Sequence, residues 1–500
     1  MNATGAKALQ NVLDRIDRSL PEIYLVLALG LTISLSLLTP PFYVPDEIAH
    51  ASREIQIGHG GLIGQRTEDG VGGQIDANAK EVMDAIGEIQ LELERRHPAA
   101  LHRADGRITE TQLAPLRPIR WSHRTAFMGF QNTAVYPPLL YIPQAIGWRI
   151  GEAAGFTILH SLLLARLLAS IGAAAAGWLA MRLCAGGRWL LFAYLLLPTA
   201  LGQNASCSQD ALLLPAAGLV MALLSRAISA RRLFSATELI AVTSLLAVCI
   251  ASRPPYLPLA MVLVLPALET PGAIRQQFIP ASIGLLAVAL AVGAWIALVH
   301  PLGAFIHPLA RPALQISFLH THPLEGSEKI VFWTLVQTPL LFAQGLEVLG
   351  ILDIYAPFGI YAILSVGLAG ILLFSPALGL STRRARVALI LAVLAVCGAI
   401  SLVEYIVFTP PEASWVACLE GRYYLPLAAL ACLLIRRKPA ALNLEAQRAP
   451  GARSNGSRRQ LLLTCAASVF LIGVLYTPWV AAHGFYNLGL GAAFQVSALR

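Results

Sequence analysis

Runs of close to twenty apolar residues recur along this chain, each long enough to cross the roughly 30 Å hydrocarbon layer of a bilayer. The first covers residues 23–38, after Lys7, Arg15 and Arg18 and before Pro40-Pro41. No small-residue cleavage site follows it, so it reads as an uncleaved first helix. Further crossings are expected near 158–181, 188–204, 209–225, 236–251, 255–269, 278–299, 357–374, 387–408, 422–435 and 461–482. With 22–39 that makes eleven, and the fold class is an all-α polytopic membrane protein. The one long polar stretch is 40–135. Within it, Val82, Ile86, Ile89 and Leu93 recur at i, i+4, i+7 and i+11, which predicts a helix over 79–96 with one apolar stripe. Asn78 is its expected cap, and Arg95 and Arg96 suit its last turn. Such a helix packs on the membrane domain or forms a lid over a site.

Charge orients the chain. Only 13% of residues are charged and mean hydropathy is +0.65, whereas a soluble domain carries about 25% charged residues. The net charge of +8 is concentrated in short loops. These loops hold Arg226, Arg231 and Arg232; Arg383, Arg384 and Arg386; and Arg436, Arg437, Lys438, Arg448, Arg453, Arg458 and Arg459. The positive-inside rule places them and the N-terminus on the cytoplasmic face of the membrane. Parity then requires that 137–150 not cross. It has three prolines (Pro137, Pro138, Pro143) and is too short, so it reads as a juxtamembrane helix at the outer surface. The resulting plan is one membrane domain over 1–500. It has a first periplasmic loop at 40–135, a juxtamembrane helix at 136–152, a second periplasmic segment at 300–356 with an interfacial helix near 330–350, and a cytoplasmic loop at 436–460. Residues 439–459 read as flexible, and 483–500 as outside. No basic groove with interleaved aromatics points to nucleic acid. No C-x-x-C pair points to zinc or redox chemistry. A disulfide between Cys207 and Cys418 is open if both lie outside.

Six short stretches carry candidate chemistry, and each has a plain reading beside the functional one. Asp46, Glu47 and His50 follow the first helix. They are either a charged interfacial anchor or a general base with a helper, and the two acids could hold a divalent cation. No other cofactor is indicated. Tyr136-Pro137-Pro138-Leu139-Leu140-Tyr141 suits a bent chain entering the interface. Asp210, in Ser208-Gln209-Asp210, is a helix cap or a site residue. Arg253, in Arg253-Pro254-Pro255-Tyr256, and Arg422, in Glu420-Gly421-Arg422-Tyr423, are arginines that positive-inside bias does not explain. They either snorkel to headgroups or hold a phosphate. Leu349-Gly350-Ile351-Leu352-Asp353 is the sixth stretch. The plan gathers Asp46, Glu47, His50, Asp210, Arg253, Asp353 and Arg422 at one face, near the outer leaflet. The spans themselves read as almost free of charge, with Glu404 the exception.

These stretches, in this order and over nearly the whole chain, resemble a bacterial family of predicted membrane proteins catalogued as a domain of unknown function and placed in the GT-C glycosyltransferase superfamily. Two positions depart from its pattern: Arg253 stands where lysine is common, and Ile351 where tryptophan is expected. The resemblance implies a GT-C-like fold with an acidic motif after the first helix. It also implies transfer of a sugar from a polyprenyl-phosphate carrier to an envelope glycan, lipid or protein at the periplasmic face. On that reading Asp46 is the base, Glu47 its helper or a cation ligand, and Arg422 and Arg253 bind the leaving phosphate. His50, Tyr136, Asp210, Asp353 and Tyr423 complete the substrate-binding set, with membrane lipids as further partners. Asp46 and Arg422 are then expected roughly 6–12 Å apart, flanking one anomeric carbon. The alternatives are a flippase or exporter of lipid-linked glycan and a structural subunit of an envelope-assembly complex.

Overall fold

The computed structural model describes residues 3–96, 108–270, 274–376, 379–435 and 450–486. α1 (Ala3–Leu38) turns through Thr39-Pro40-Pro41 into α2 (Glu47–Gly58). A cap follows, made of β1 (Gln65–Thr67), β2 (Gly70–Asp76), α3 (Ala77–Arg96), α4 (Glu110–Leu113), β3 (Thr125–Gly129) and α5 (Gln131–Ala134). A 3-10 turn, Pro138–Tyr141, opens α6 (Ile142–Ala153). Next come α7 (Ile158–Leu183), α8 (Arg188–Leu195), α9 (Pro198–Asn204), α10 (Asp210–Ser229), α11 (Ala236–Ser252), a 3-10 stretch Pro254–Val264 and α12 (Leu265–Glu269). The chain ends with α13 (Ile274–Val299), α14 (Pro312–Thr321), α15 (Pro323–Leu346), a β4–β5 hairpin (Val348–Leu349, Ile354–Tyr355), α16 (Phe358–Phe374), α17 (Arg383–Val407), a 3-10 turn Gly421–Tyr424, α18 (Leu425–Ala431), α19 (Pro450–Leu475) and α20 (Thr477–Tyr486).

Among the described residues, six helices are long and apolar enough to cross a membrane: Asp14–Leu38, Ile158–Leu183, Asp210–Ser229, Phe278–Leu302, Arg383–Val407 and Arg458–Tyr486. Shorter apolar helices lie at Ala236–Ser252, Pro254–Glu269, Phe358–Phe374 and Gly421–Leu434. Hydrogen bonds sort the segment ends into two groups. At one end the Trp189 indole donates to Asp17 (2.8 Å), Ala185 N donates to Ser225 Oγ (3.0 Å), and Thr382 N donates to Glu269 (2.8 Å). This end carries the turn at 226–232 and the start of α17, and is called here the basic end. The opposite end bears the cap.

The expected crossing at 188–204 is two short helices. Pro198 disfavours helical geometry at the residue before it, and Leu197 is extended (ψ 132°). α6 does not run from end to end. It lies antiparallel on the first half of α7, with Gly151 against Ser161 and Gly147 against Ala165. A Cβ on Gly147 would stand 2.5 Å from the Ala165 Cα, so this contact requires glycine. α15 stays at the cap end: Lys329 reaches Glu412 O (3.1 Å), and Gly421 N donates to Gln344 (2.9 Å).

The cap departs from an all-helical plan. β1, β2 and β3 form an antiparallel sheet; Glu68-Asp69 makes the two-residue turn between β1 and β2, and Gly70 just after it has φ 125°. The α3 stripe is buried as its spacing requires: Val82 and Ile86 are fully buried, Leu93 is buried and Ile89 half-buried. Val82 and Ile86 pack with Phe42, Ala51, Ile55 and Trp148 in a core separate from that of the bundle. α3 is capped by Asp76, not Asn78. Asp76 Oδ1 accepts from Asn78 N (2.9 Å) and Ala79 N (3.2 Å), while Oδ2 accepts from Ser122 N (2.9 Å). The stretch expected to be flexible, 439–459, is helical from Pro450 onward, and 436–449 lies outside the described residues. Cys207 is buried, Cys418 is exposed, and both are free thiols.

Candidate active site

α2 places the first group of polar side chains. Asp46 opens it in the left-handed region (φ 60°, ψ 11°), a conformation aspartate tolerates better than most residues. Behind it, Glu47, His50, Arg53 and Glu54 are all buried. Glu47 faces away from Asp46. Arg166 of α7 grips it through Nε (2.8 Å) and Nη2 (2.5 Å), and Cys207 N donates to the same carboxylate (3.0 Å). Arg166 also donates to Thr39 O and Pro40 O, so the pair bolts α7 to the corner after α1. The two adjacent acids therefore do not converge on a shared cation, and Glu47 does not stand where it could assist Asp46. Arg53 donates to Leu62 O (2.6 Å) and Tyr136 O (3.1 Å), holding the tyrosine segment in place. Glu54 accepts from the Trp148 indole (2.9 Å), and burial pushes its carboxyl well above the usual range.

The second group converges on Arg422, whose side chain is only 2% exposed. Its guanidinium is ringed by carboxylates: Glu420 at Nε (2.5 Å), Asp46 at Nη2 (2.9 Å) and Asp210 3.9 Å from Nη1. Among the described residues, Nη1 has no hydrogen-bond acceptor. Arg253 pairs with Asp210 (3.1 Å) and lies 4.4 Å over the Tyr423 ring. Arg422 stands 5.3 Å from the same ring. The Tyr256 hydroxyl donates to Tyr423 O (2.7 Å) and fixes that ring between the two cations. Asp210 does not cap its helix. His50 Nδ1 is 2.6 Å from the Tyr141 hydroxyl, and its ring stacks on Tyr136.

Asp46 and Arg422 are thus in direct contact, closer than the expected 6–12 Å. In a desolvated site opposite charges close on one another when geometry allows. The asymmetry of the pair matters chemically. The Asp46 side chain is 45% exposed while its partner is sealed, so an exposed carboxylate is backed by a buried cation. Burial opposes ionisation of Asp46, but Arg422, then His50 and Arg253, outweigh it and hold the carboxyl below its ordinary value. Burial lowers His50 to about 4 against the pull of Asp46 and Asp210, leaving a neutral imidazole at pH 7. Burial, against Arg422, raises Glu420, and burial lifts the Tyr136 phenol to about 12.

Of the sequence candidates, Asp46, His50, Tyr136, Asp210, Arg253, Arg422 and Tyr423 are brought together. Asp353 lies in the β4–β5 turn and accepts from the Tyr43 hydroxyl (3.0 Å), three residues before Asp46 rather than within the Arg422 ring. Glu420 and Arg166 had gone without roles. Glu420 stood inside a motif already singled out. Arg166 was a lone cation in an apolar run, itself a signal. Among the described residues, no three His, Cys, Asp or Glu side chains cluster closely enough to hold a metal ion.

A family model for predicted membrane proteins, DUF2142, matches residues 29–431. The chain belongs to the DUF2142 family. No curated protein matches it. The matched stretch of this DUF2142 chain contains every residue of the charged ring, from Asp46 to Tyr423.

Proposed function

We propose that this chain is a GT-C-type glycosyltransferase of the bacterial inner membrane, with eleven crossings and the cap in the periplasm. It moves a sugar from a polyprenyl-phosphate carrier to a hydroxyl of an envelope acceptor. The observation that carries this reading is the exposed Asp46 carboxylate backed by sealed Arg422, with Arg253 beside it on Tyr423. The alternation of segment ends between the basic end and the cap end supports the crossing number, counting α8 and α9 as one.

The chemistry follows from the charges. Asp46 takes the proton of the acceptor hydroxyl, whose oxygen attacks the anomeric carbon. The bond from that carbon to the phosphate oxygen breaks, and the phosphate leaves with the electron pair. Arg422 and Arg253 stabilise the charge that develops there. A phosphate competing for the Arg422 guanidinium relaxes its hold on Asp46, so the carboxylate gains basicity when donor binds. Neutral His50, fixed by Tyr141, offers a hydrogen bond without adding charge.

The test uses purified full-length protein with a panel of polyprenyl-phosphate sugars, measuring sugar transfer to extracted envelope acceptors. Transfer by the native chain, falling by about 10²-fold or more in Asp46→Asn, is the expected result. Translocation of a fluorescent lipid-linked saccharide across liposomes, with no transfer from any donor, would replace this reading with the exporter.

A further inference from the structure

Asp46 is held from two sides. Arg422 of the bundle takes Oδ2 at 2.9 Å, and Asn132 of the cap reaches Oδ1 at 3.3 Å. A carboxylate can only accept, so the Asn132 amide nitrogen is the donor. Asn132 sits on α5, a single turn with a firm seat. The next residue, Thr133, donates to Ala49 O of α2 (2.8 Å), Gln131 donates to Ala304 O (3.1 Å), and the Trp295 indole donates to Val135 O (2.9 Å). Ala134 is fully buried. The segment is thereby tied to α2, to α13 and to the chain after α13, and it presents one polar side chain to the carboxylate.

From this geometry we infer that Asn132 is a positioning residue for the base, that Oδ1 is the oxygen that takes the proton, and that the acceptor hydroxyl arrives along the α5 side of the cap. The inference rests on the glycosyltransferase reading for its last step. Oδ2 is committed to the cation that faces the donor phosphate, so its lone pairs are the less basic. Oδ1 carries only a long, replaceable amide bond, from a half-buried side chain on the solvent side. An incoming hydroxyl can share that site, donating to Oδ1 while Asn132 donates to the hydroxyl oxygen. The cap is then part of the site and fixes where the proton goes.

Because a carbodiimide reacts with the protonated carboxyl, the pH at which Asp46 becomes labelled can be read by mass spectrometry without any substrate. The charged and titratable groups around Asp46 are Arg422 of the 421–424 turn with Glu420 and Cys418 just before it, Arg253 after α11, Asp210 at the start of α10, His50 on α2, Tyr136 after α5 and Glu404 on α17. None of these is altered by substituting Asn132, and imidazole is not labelled. Losing one hydrogen bond to the charged form should raise the labelling midpoint by about half to one pH unit in Asn132→Ala. Asn132→Asp, which sets a second carboxylate against the first, should raise it further. The acid limb of the transfer rate should move by the same amount as the midpoint. An unchanged midpoint in both variants overturns the inference. So does a shifted midpoint with an unshifted acid limb in an active enzyme. A shifted midpoint in a protein that transfers no sugar from any donor leaves the Asn132–Asp46 coupling standing and removes the glycosyltransferase reading instead.

Discussion

At the scale of single residues the charges divide by exposure. Asp46 is exposed, and its replacement by asparagine keeps shape while removing basicity. Transfer should fall by about 10²–10⁴-fold, the worth of a general base, in a protein that stays folded because Glu420 and Asp210 still face the Arg422 guanidinium. Arg422→Lys keeps charge but loses the planar fork, and should cost about 10²-fold. Glu47 behaves in the opposite way. Its pair with Arg166 is sealed, at 0% and 3% exposure. Removing one partner strands a buried charge, so Glu47→Ala should destabilise by about 3–5 kcal/mol, while the double replacement Glu47→Leu with Arg166→Met should recover most of that. A double replacement as unstable as the single one would show that the corner depends on the pair itself. His50 adds a pH dependence whose sign follows from its shift. Its pKa is depressed to about 4 from 6.5, so below pH 6.5 the unfolded chain binds the proton that the folded chain refuses. Stability is therefore complete above about 6.5 and declines as pH falls toward 4, by on the order of 3 kcal/mol. Melting curves across that window should flatten in His50→Gln. The sequence showed Asp46, Arg253 and Arg422 because acids and arginines at the mouth of an apolar helix demand a reason. It hid the division of labour between Asp46 and Glu47, because adjacency says nothing about which way each side chain turns once helix geometry is fixed.

At the scale of elements, period and length were the readable quantities. The α3 stripe was visible as i, i+4, i+7 and lies in the cap core. The cap sheet was not foreseen: the central turn residues are Glu68-Asp69, with Gly70 already paired to Thr67, so the favoured Asp-Gly pair does not stand at the turn's centre. Three short strands with glycines at 70, 72, 73 and 129 carry little hydrophobic alternation to betray them. The pairing of α6 with α7 was written in small residues. Gly147 and Gly151 form a G-x-x-x-G face that meets Ser161 and Ala165 of α7, the same close packing that joins helices in membranes. Gly147→Leu cannot be accommodated where even a Cβ stands 2.5 Å from backbone. It should lever α6 from α7 and carry Tyr141 away from His50. Limited proteolysis in the 137–153 stretch should rise sharply, and transfer should fall although no charged residue has changed. A variant that resists protease as well as the native chain does would show that α6 is held by something other than this contact.

At the scale of the whole molecule the arrangement is a bundle with two unlike ends. The basic end gathers arginines in short turns, and the cap end gathers carboxylates, the three buried arginines Arg53, Arg166 and Arg422 and, among the described residues, the sheet with its flanking helices. This polarity makes orientation measurable, and the count of crossings decides it. Between Asp69, at the exposed hairpin of the cap, and Arg231, in the exposed turn after α10, the chain runs through α7, the broken pair α8–α9, and α10. Three passages are an odd number, so the two positions should lie on opposite sides of the membrane. Single cysteines introduced as Asp69→Cys and Arg231→Cys, with native Cys418 and Cys465 replaced by serine, report this directly. Cys418 must go because it too is exposed at the cap end. In intact cells a membrane-impermeant maleimide should label the Asp69→Cys protein, and the Arg231→Cys protein only after permeabilisation. The reverse pattern would turn the bundle over and put Asp46 on the cytoplasmic side, away from the periplasmic acceptors the proposal requires. Equal labelling of both from outside would mean an even number of passages. The element at fault would be α8–α9, whose break at Leu197-Pro198 leaves two short helices where the other passages have one.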